Sequence, residues 1–184
     1  HRLIMHACYI QEAIGPPIKY RMFLSLVSRL TELGDFATAE KEISNRKAIA
    51  KTIGDNEALS MALATEAQMY GEKGELTKAI EIARAAIDIS SNNSSAWLIL
   101  GSTLHKSGQY DEALECIDQS VKRSKYILGK HDAYYYKSAV LVELSKYQDA
   151  LETIEKAIKN SPKCAVSWAL KGWILGNLEK TQEA

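Results

Sequence analysis

The chain has 184 residues, of which 46% are apolar and 25% charged, so it has enough apolar material for a core and its composition excludes a disordered chain. Its 23 basic and 23 acidic residues give a formal net charge of zero, which argues against a general nucleic-acid or anionic-membrane binder. No apolar run approaches the roughly 18 residues that a membrane span needs. No basic and apolar leader is visible, although the chain opens at His1 and leaves room for a targeting segment upstream.

The first predicted element is a helix that ends before two prolines. Its apolar residues share one face at helical spacing: Leu3, Ala7, Ile10, Ala13 and Ile14. Gly15, Pro16 and Pro17 end it because proline cannot continue a helix. The apolar positions match those of the second helices further along the chain. We therefore expect residues 1–19 to be the second helix of a truncated upstream repeat.

From Tyr20 onwards one pattern returns five times. The units start at Tyr20, Ser60, Ser94, His131 and Ala165. Positions are counted from the first residue of each unit. Position 20 is alanine in all five units: Ala39, Ala79, Ala113, Ala150 and Ala184. Position 4 is large and apolar in each: Phe23, Leu63, Trp97, Tyr134 and Trp168. The turn at position 15 is Gly34, Gly74, Gly108 and Ser145, and Glu179 replaces it in the fifth unit.

The central unit places its characteristic residues at positions 4, 8, 11, 15, 17 and 20: Trp97, Gly101, Leu104, Gly108, Tyr110 and Ala113. This combination resembles the tetratricopeptide repeat (TPR), a helix-turn-helix unit. The resemblance implies an all-α, right-handed superhelical solenoid of antiparallel helix pairs, with one domain over residues 1–184. Small residues at positions 8 and 20 let two helices approach closely. The unit from Ala165 is expected to turn and stop early in its second helix, so that the chain is a piece of a longer array.

Two units are longer than the roughly 34 residues of a standard tetratricopeptide repeat. The interval between successive alanines at position 20 is longest from Ala39 to Ala79, and it is also extended from Ala113 to Ala150. In the first case the second helix is expected to continue to Gly54, where a glycine–aspartate pair resembles the longer TPR variants. In the second case the extra residues are predicted to form a longer connection within 126–130.

No constellation in the sequence supports catalysis. There is no phosphate-binding glycine loop, metal-ligand cluster or nucleophile elbow, so we expect neither an enzyme nor a cofactor or metal site. His105 has a plausible functional position, where a hydrogen-bonded histidine lining a groove is favoured over a ligand or base. His1, His6 and His131 show no partner spacing.

The number and spacing of the cysteines indicate the redox environment of the protein. The cysteines are few, odd in number and widely spaced: Cys8, Cys116 and Cys164. This usage indicates a reducing compartment, and we expect a cytoplasmic protein.

The short basic run at 122–125 lies near a predicted helix end, where stabilisation of the helix dipole is favoured over a phosphate site.

The resemblance assigns a concave groove to first-helix positions 2, 5, 6, 9, 12 and 13. The predicted partner-binding residues are Leu98, Ile99, Ser102, His105, Tyr135, Tyr136, Ala139, Val142, Leu170 and Trp173. Most are apolar or aromatic, with charge expected only at the edges. Partner binding is favoured over covering by neighbouring helices, because exposed apolar patches of this size usually mark interaction sites. Tyr136 and Trp173 are not expected to occupy packing positions.

These residues predict a non-catalytic protein–protein interaction scaffold that holds a peptide or partner helix of apolar or aromatic character. A clamp for chaperone-tail carboxylates is not expected, since Leu98 and Ile99 stand where the family's clamp has polar groups. The asparagine ladder of sugar-transferase TPR arrays is absent too. Two alternatives stay open: a regulatory or sensor arm of a larger enzyme, and self-association through exposed solenoid ends.

Overall fold

The computed structural model describes residues 18–182, and the side chains of residues 22–179. Within that range the chain forms nine α-helices and no strand. They are α1 (Ile18–Glu32), α2 (Phe36–Ile53), α3 (Asn56–Glu72), α4 (Leu76–Ile89), α5 (Ser94–Lys106), α6 (Tyr110–Arg123), α7 (Ile127–Glu143), α8 (Tyr147–Asn160) and α9 (Ala165–Gln182). Each helix packs against the next, and each first helix also packs against the first helix of the following pair. The predicted all-α helical repeat solenoid is confirmed.

Each helix pair reverses at one residue with positive φ. These residues are Gly34 (φ 76°), Gly74 (φ 86°), Gly108 (φ 80°) and Ser145 (φ 58°). Glycine adopts this conformation without strain because it has no Cβ. The residue after the turn then bonds back to the first helix, as the amide of Gln109 does to the carbonyl oxygen of Leu104 at 2.9 Å. This bond satisfies a carbonyl at the helix end and sets the angle of the reversal.

Small side chains stand where the two helices of a pair touch. A Cβ placed on Gly101 would lie 2.6 Å from Cγ1 of Ile117 and 3.0 Å from the carbonyl oxygen of the fully buried Ala113. In the next pair Ser138 fills the same position and donates a hydrogen bond to the carbonyl oxygen of Ala150 at 2.8 Å. Larger side chains at these positions would push the helices apart.

Two buried apolar clusters stabilise the solenoid from α3 to α9. The central cluster spans α3 to α7 and includes Leu100, Leu104 and Ile117. The C-terminal cluster joins α7, α8 and α9 and includes Ile154 and Ile174. Because both clusters include residues of α7, this helix connects the central cluster to the C-terminal cluster.

The two long units accommodate their extra residues by lengthening helices. As predicted, α2 continues to Ile53, and Gly54 (φ 68°) ends it while the side chain of Asp55 caps α3. The predicted long connection within 126–130 is wrong, because α7 begins at Ile127. The inserted residues are compatible with a helix, since the single glycine among them costs only about 1 kcal/mol relative to alanine.

The last described helix differs from the expected fifth unit. We expected a turn at Glu179, but α9 continues to Gln182. Glutamate lacks the freedom of glycine to adopt positive φ, so nothing in the local sequence ends the helix there. The helix predicted before Pro16 lies outside the described residues. No helix within residues 18–182 has the length and apolar character that a membrane crossing requires.

Candidate functional site

The first helices of successive pairs line one cavity. Its volume is about 420 Å³. The lining residues are Gln68, Gly71, Glu72, Leu98, Ile99, Ser102, Thr103, Lys106, His131, Asp132, Tyr135, Tyr136, Cys164 and Val166. They belong to α3, α5 and α7 and to the start of α9. The cavity therefore lies on the face that the first helices share.

The floor of the cavity is apolar and aromatic, and its four side chains also pack against the core. They are those of Leu98, Ile99, Tyr135 and Tyr136. The rings of Tyr135 and Tyr136 meet edge to face with centroids 5.5 Å apart. Tyr136 packs against the central cluster, as do Leu98 and Ile99. Burial raises the pKa of the Tyr136 phenol, and the nearby carboxylate of Asp132 adds to the effect. The expectation that Tyr136 stands outside the packing is therefore wrong.

Half of the predicted site residues line the cavity: Leu98, Ile99, Ser102, Tyr135 and Tyr136. The others are not part of its wall: His105, Ala139, Val142, Leu170 and Trp173. Val142 and Leu170 pack against the C-terminal cluster instead. Trp173 is 52% exposed, and its ring meets Tyr147 with centroids 6.2 Å apart.

His105 is placed by the turn of its own helix pair. Its ring lies 5.9 Å from the ring of Tyr110, which begins α6. Burial lowers the pKa of the imidazole, while the carboxylate of Glu143 opposes that shift. The side chain is half-buried and packs beside the turn rather than on the cavity wall.

The prediction missed the α3 side of the cavity, although the signal was present. Gln68, Gly71 and Glu72 occupy positions 9, 12 and 13 of the unit from Ser60, which are the groove positions used for the later units. The cavity runs obliquely, from the end of one first helix to the beginning of another. Glu72 and Lys106 bring charge to the wall itself, so charge is not confined to the edges as expected.

Four polar residues lie together at the α9 end of the cavity and form what we call the polar cluster. His131, Asp132 and Cys164 line the cavity, and Ser167 is buried beside them. His131 is only 7% exposed. Its Nδ1 lies 2.8 Å from Oδ1 of Asp132, and its Nε2 lies 3.0 Å from Oγ of Ser167. His131 showed no partner spacing in the sequence, and the structure gives it two partners. One partner is its neighbour, and the other is 36 residues away in sequence and reaches it through the packing of α9 on α7.

The chemistry of these partners assigns the imidazole tautomer. A carboxylate only accepts hydrogen bonds, so Nδ1 carries the proton and Nε2 accepts from the hydroxyl of Ser167. Ser167 is fully buried, so its hydroxyl cannot meet a substrate. Among the residues that the structure describes, no group of three or more His, Cys, Asp or Glu side chains is arranged to hold a metal ion.

The two described cysteines have opposite environments. Cys164 directly precedes α9 and is partly exposed on the cavity wall. The backbone N–H of Ser167 lowers the pKa of the Cys164 thiol, and burial opposes that shift. Cys116 is 5% exposed within the central cluster, and burial raises the pKa of its thiol to about 11. Of these two thiols, only that of Cys164 is accessible from the cavity.

Two family models match overlapping parts of the chain. Residues 36–120 match a model described as anaphase-promoting complex, cyclosome, subunit 3, and residues 98–163 match a tetratricopeptide repeat model. No curated protein sequence matches the chain.

Several solved structures share the fold. Pseudomonas aeruginosa PilF aligns with a TM-score of 0.70 at 17% identity, over 88% of this chain and 69% of that one. MamA aligns with a TM-score of 0.63 at 21% identity, over 83% and 84%. The first TPR of Spaghetti (RPAP3), solved with an HSP90 peptide, aligns with a TM-score of 0.60 at 17% identity, over 65% and 93%. The helix pairs, the recurring residue pattern and these matches together show that the chain is a tetratricopeptide repeat protein.

Proposed function

We propose that the chain is a non-catalytic protein-interaction scaffold that holds a peptide segment or a partner helix against the cavity of its first helices. The cavity is the observation that carries this function. Its volume of about 420 Å³ is large enough for several side chains of a partner. The likeness to repeat proteins, one of them solved with a peptide, supports the general role.

The cavity wall also suggests the chemistry of the partner. Tyr135 and Tyr136 offer large, rigid aromatic area, which supplies much of the affinity at protein interfaces. Glu72 and Asp132 place two carboxylates on the wall, and Lys106 places one ammonium group there. We therefore expect an apolar or aromatic anchor with polar flanks. A strongly acidic tail is not expected, because Lys106 is outnumbered by these carboxylates, and Leu98, Ile99 and Tyr136 add no positive charge.

The arrangement of the polar cluster supports a non-catalytic role. Ser167, which bonds to the imidazole of His131, is closed to solvent. The second nitrogen of that imidazole is held by Asp132. Both ring nitrogens therefore already have partners within the fold, and neither is free to activate a bound substrate.

A peptide selection with one cavity variant tests the proposal. Peptides selected from a displayed random library against the wild-type chain are titrated with Ser102→Arg, which places a long charged side chain in the cavity. We expect affinity to fall by about tenfold or more, since the arginine competes for the same space. Ser44→Arg is the matched control, because Ser44 is an exposed serine within α2.

The same experiment can contradict the proposal. Circular dichroism first shows that both arginine variants keep their helical content. Selected peptides that bind Ser102→Arg as tightly as the wild type and Ser44→Arg would place the binding surface elsewhere on the solenoid.

A further inference from the structure

The cavity wall carries more carboxylates than ammonium groups, since Glu72 and Asp132 face one lysine, Lys106. We propose that the partner places one lysine or arginine side chain beside its apolar anchor, and that Glu72 and Asp132 receive this cation next to the ring of Tyr136. The inference rests on the proposed function and deepens it, because it assigns a charge and a position to the flank of the bound segment.

The two cavity carboxylates differ from those that join neighbouring helix pairs. Within the described side chains, neither Glu72 nor Asp132 forms an ion pair with a lysine or arginine. Glu72 accepts from the neutral amide of Gln68 at 3.0 Å, and Asp132 lies 2.8 Å from the imidazole of His131. The carboxylates between helix pairs have cationic partners: Glu66 with Lys47 and Asp118 with Lys137, both at 2.6 Å, and Glu155 with Lys171 at 2.7 Å. Each cavity carboxylate has lone pairs left for a further donor.

The charges of the two carboxylates act on the same place in the cavity. Glu72 ends α3 and Asp132 lies in the first turns of α7, so the packing of the first helices brings them together. Burial is the main cause of the raised pKa of the Tyr136 phenol, and the carboxylates of Asp132 and Glu72 both add to it. The face of a tyrosine ring also attracts a cation. A positive group is therefore favoured beside Tyr136.

Binding itself strengthens this preference for a cation. A segment lying in the cavity displaces water from Glu72 and Asp132. A carboxylate that loses water without gaining a partner raises the free energy of the complex. A basic side chain replaces that water with charge-assisted hydrogen bonds, whereas a wholly apolar segment does not.

Two displayed peptide libraries test the inference separately from the proposed function. One library omits lysine and arginine, and the other omits aspartate and glutamate. Cavity binders are the selected peptides that lose affinity for Ser102→Arg. We expect the library with basic residues to give cavity binders about tenfold tighter than the other. Equal affinities from both libraries would overturn this inference and leave the proposed function standing, while an absence of cavity binders from both would overturn the two together.

Isosteric variants locate the cation. Glu72→Gln and Asp132→Asn each remove one charge and keep an acceptor oxygen for Gln68 or His131. Each should weaken the tightest basic peptide about fivefold at low salt, since both carboxylates are solvent-exposed. The same peptide with norleucine in place of its basic residue should lose this sensitivity. Glu81→Gln is the matched control, because Glu81 is an exposed carboxylate on α4 that does not line the cavity.

A variant of opposite sign provides a second test that leaves the polar cluster untouched. Lys106→Gln removes the ammonium group from the cavity wall and should tighten the basic peptide about threefold at low salt. Circular dichroism first confirms that each variant keeps its helical content. An affinity that Glu72→Gln with Asp132→Asn leaves unchanged would overturn the inference. So would an equal loss in Glu81→Gln, or a weaker affinity in Lys106→Gln.

Discussion

Two helix pairs of this chain have the same lengths and different chemistry. The upstream pair is α3 with α4, and the downstream pair is α7 with α8. One constant shift in residue number takes Asn56 to Ile127 at the start of each pair and Ile89 to Asn160 at its end. The same shift takes the first residue of α5 to the first residue of α9, so corresponding residues can be compared directly.

The upstream joint is the place where α3, α4 and the start of α5 meet, and the downstream joint is the equivalent place at α7, α8 and α9. At the upstream joint the polar groups form hydrogen bonds with one another. Oγ of Ser60 donates to the carbonyl oxygen of Ala86 at 2.6 Å and accepts from Nδ2 of Asn93 at 2.9 Å. The side-chain oxygen of Asn93 accepts from the amides of Ser95 and Ala96, which caps α5. These are the bonds of a structural cap, buried and saturated.

At the downstream joint four of these residues are replaced. His131 corresponds to Ser60, Cys164 to Asn93, Val166 to Ser95 and Ser167 to Ala96. The cap position now holds a thiol on the cavity wall, and the first helix supplies an imidazole. Similar helix geometry therefore hosts a buried amide cap in one place, and a buried imidazole beside a partly exposed thiol in the other.

The groove faces of the two pairs differ in the same sense. Tyr135 and Tyr136 of the downstream pair correspond to Ala64 and Thr65 of the upstream pair. Aromatic area is thus concentrated on α7. Repeat packing therefore gives the two pairs a common framework, while side chains at a few equivalent positions give them different surface chemistry.

The largest expected effect tests whether the two pairs share one framework. Ala79 and Ala150 are equivalent, fully buried and at the contact of two helices. Leucine at either position should lower the free energy of unfolding by about 3 kcal/mol, because overpacking forces the helices apart. Urea unfolding measures the loss, with Ala48→Leu on the exposed face of α2 as control. Tolerance at only one of the two sites would break the equivalence of the pairs.

The next effect concerns the aromatic face. Tyr136→Thr gives the downstream pair the residue of its upstream counterpart. It should weaken binding of a selected peptide by about 2 kcal/mol, roughly thirtyfold. Stability should fall as well, since Tyr136 packs against the central cluster. Isothermal titration measures the affinity. Trp168→Ala is the control, because that exposed side chain is not part of the cavity wall, and an equal loss of affinity there would contradict the assignment.

The third prediction compares how much the residue before the helix contributes to stability at each of the two joints. Asn93→Ala removes the cap of α5 and the donor to Ser60, so it should cost about 2 kcal/mol. Cys164→Ala should cost only about 0.5 kcal/mol, because a partly exposed thiol is a weaker cap. Thermal or urea unfolding of the two variants gives the ranking. Equal losses would show that the thiol carries the same structural role as the amide.

The smallest effect uses the opposite environments of the two thiols. The raised pKa of Cys116 means that its stabilising contribution is present below the ordinary pKa and lost as pH rises toward about 11. Between pH 8 and 10.5 the wild type should lose about 1 kcal/mol more than Cys116→Ala, after allowance for solvent screening. For Cys164 the sign reverses, since its lowered pKa adds stability as pH rises through that pKa. Unfolding midpoints across the pH range test both, and parallel curves for wild type and both variants would contradict them.

The sequence by itself determined the helix pairs and their turns. A positive-φ turn depends on the residue that occupies it, and a close helix contact depends on small side chains such as Gly101 and Ala113. Both are local properties that recur with the repeat. The apolar floor of Leu98, Ile99, Tyr135 and Tyr136 followed from the groove positions that the resemblance to the tetratricopeptide repeat implies.

Only the tertiary structure decided which of these residues form one site. The extra residues after Tyr126 were compatible with a loop or a helical turn, and only the structure shows that they extend α7. His131 and Ser167 are distant in sequence, and the docking of α9 on α7 makes them partners. The structure likewise placed Trp173 outside the cavity and Cys164 on its wall. The physical reason is that spacing along a helix predicts which face a residue occupies, whereas the offset between packed helices decides what that face meets.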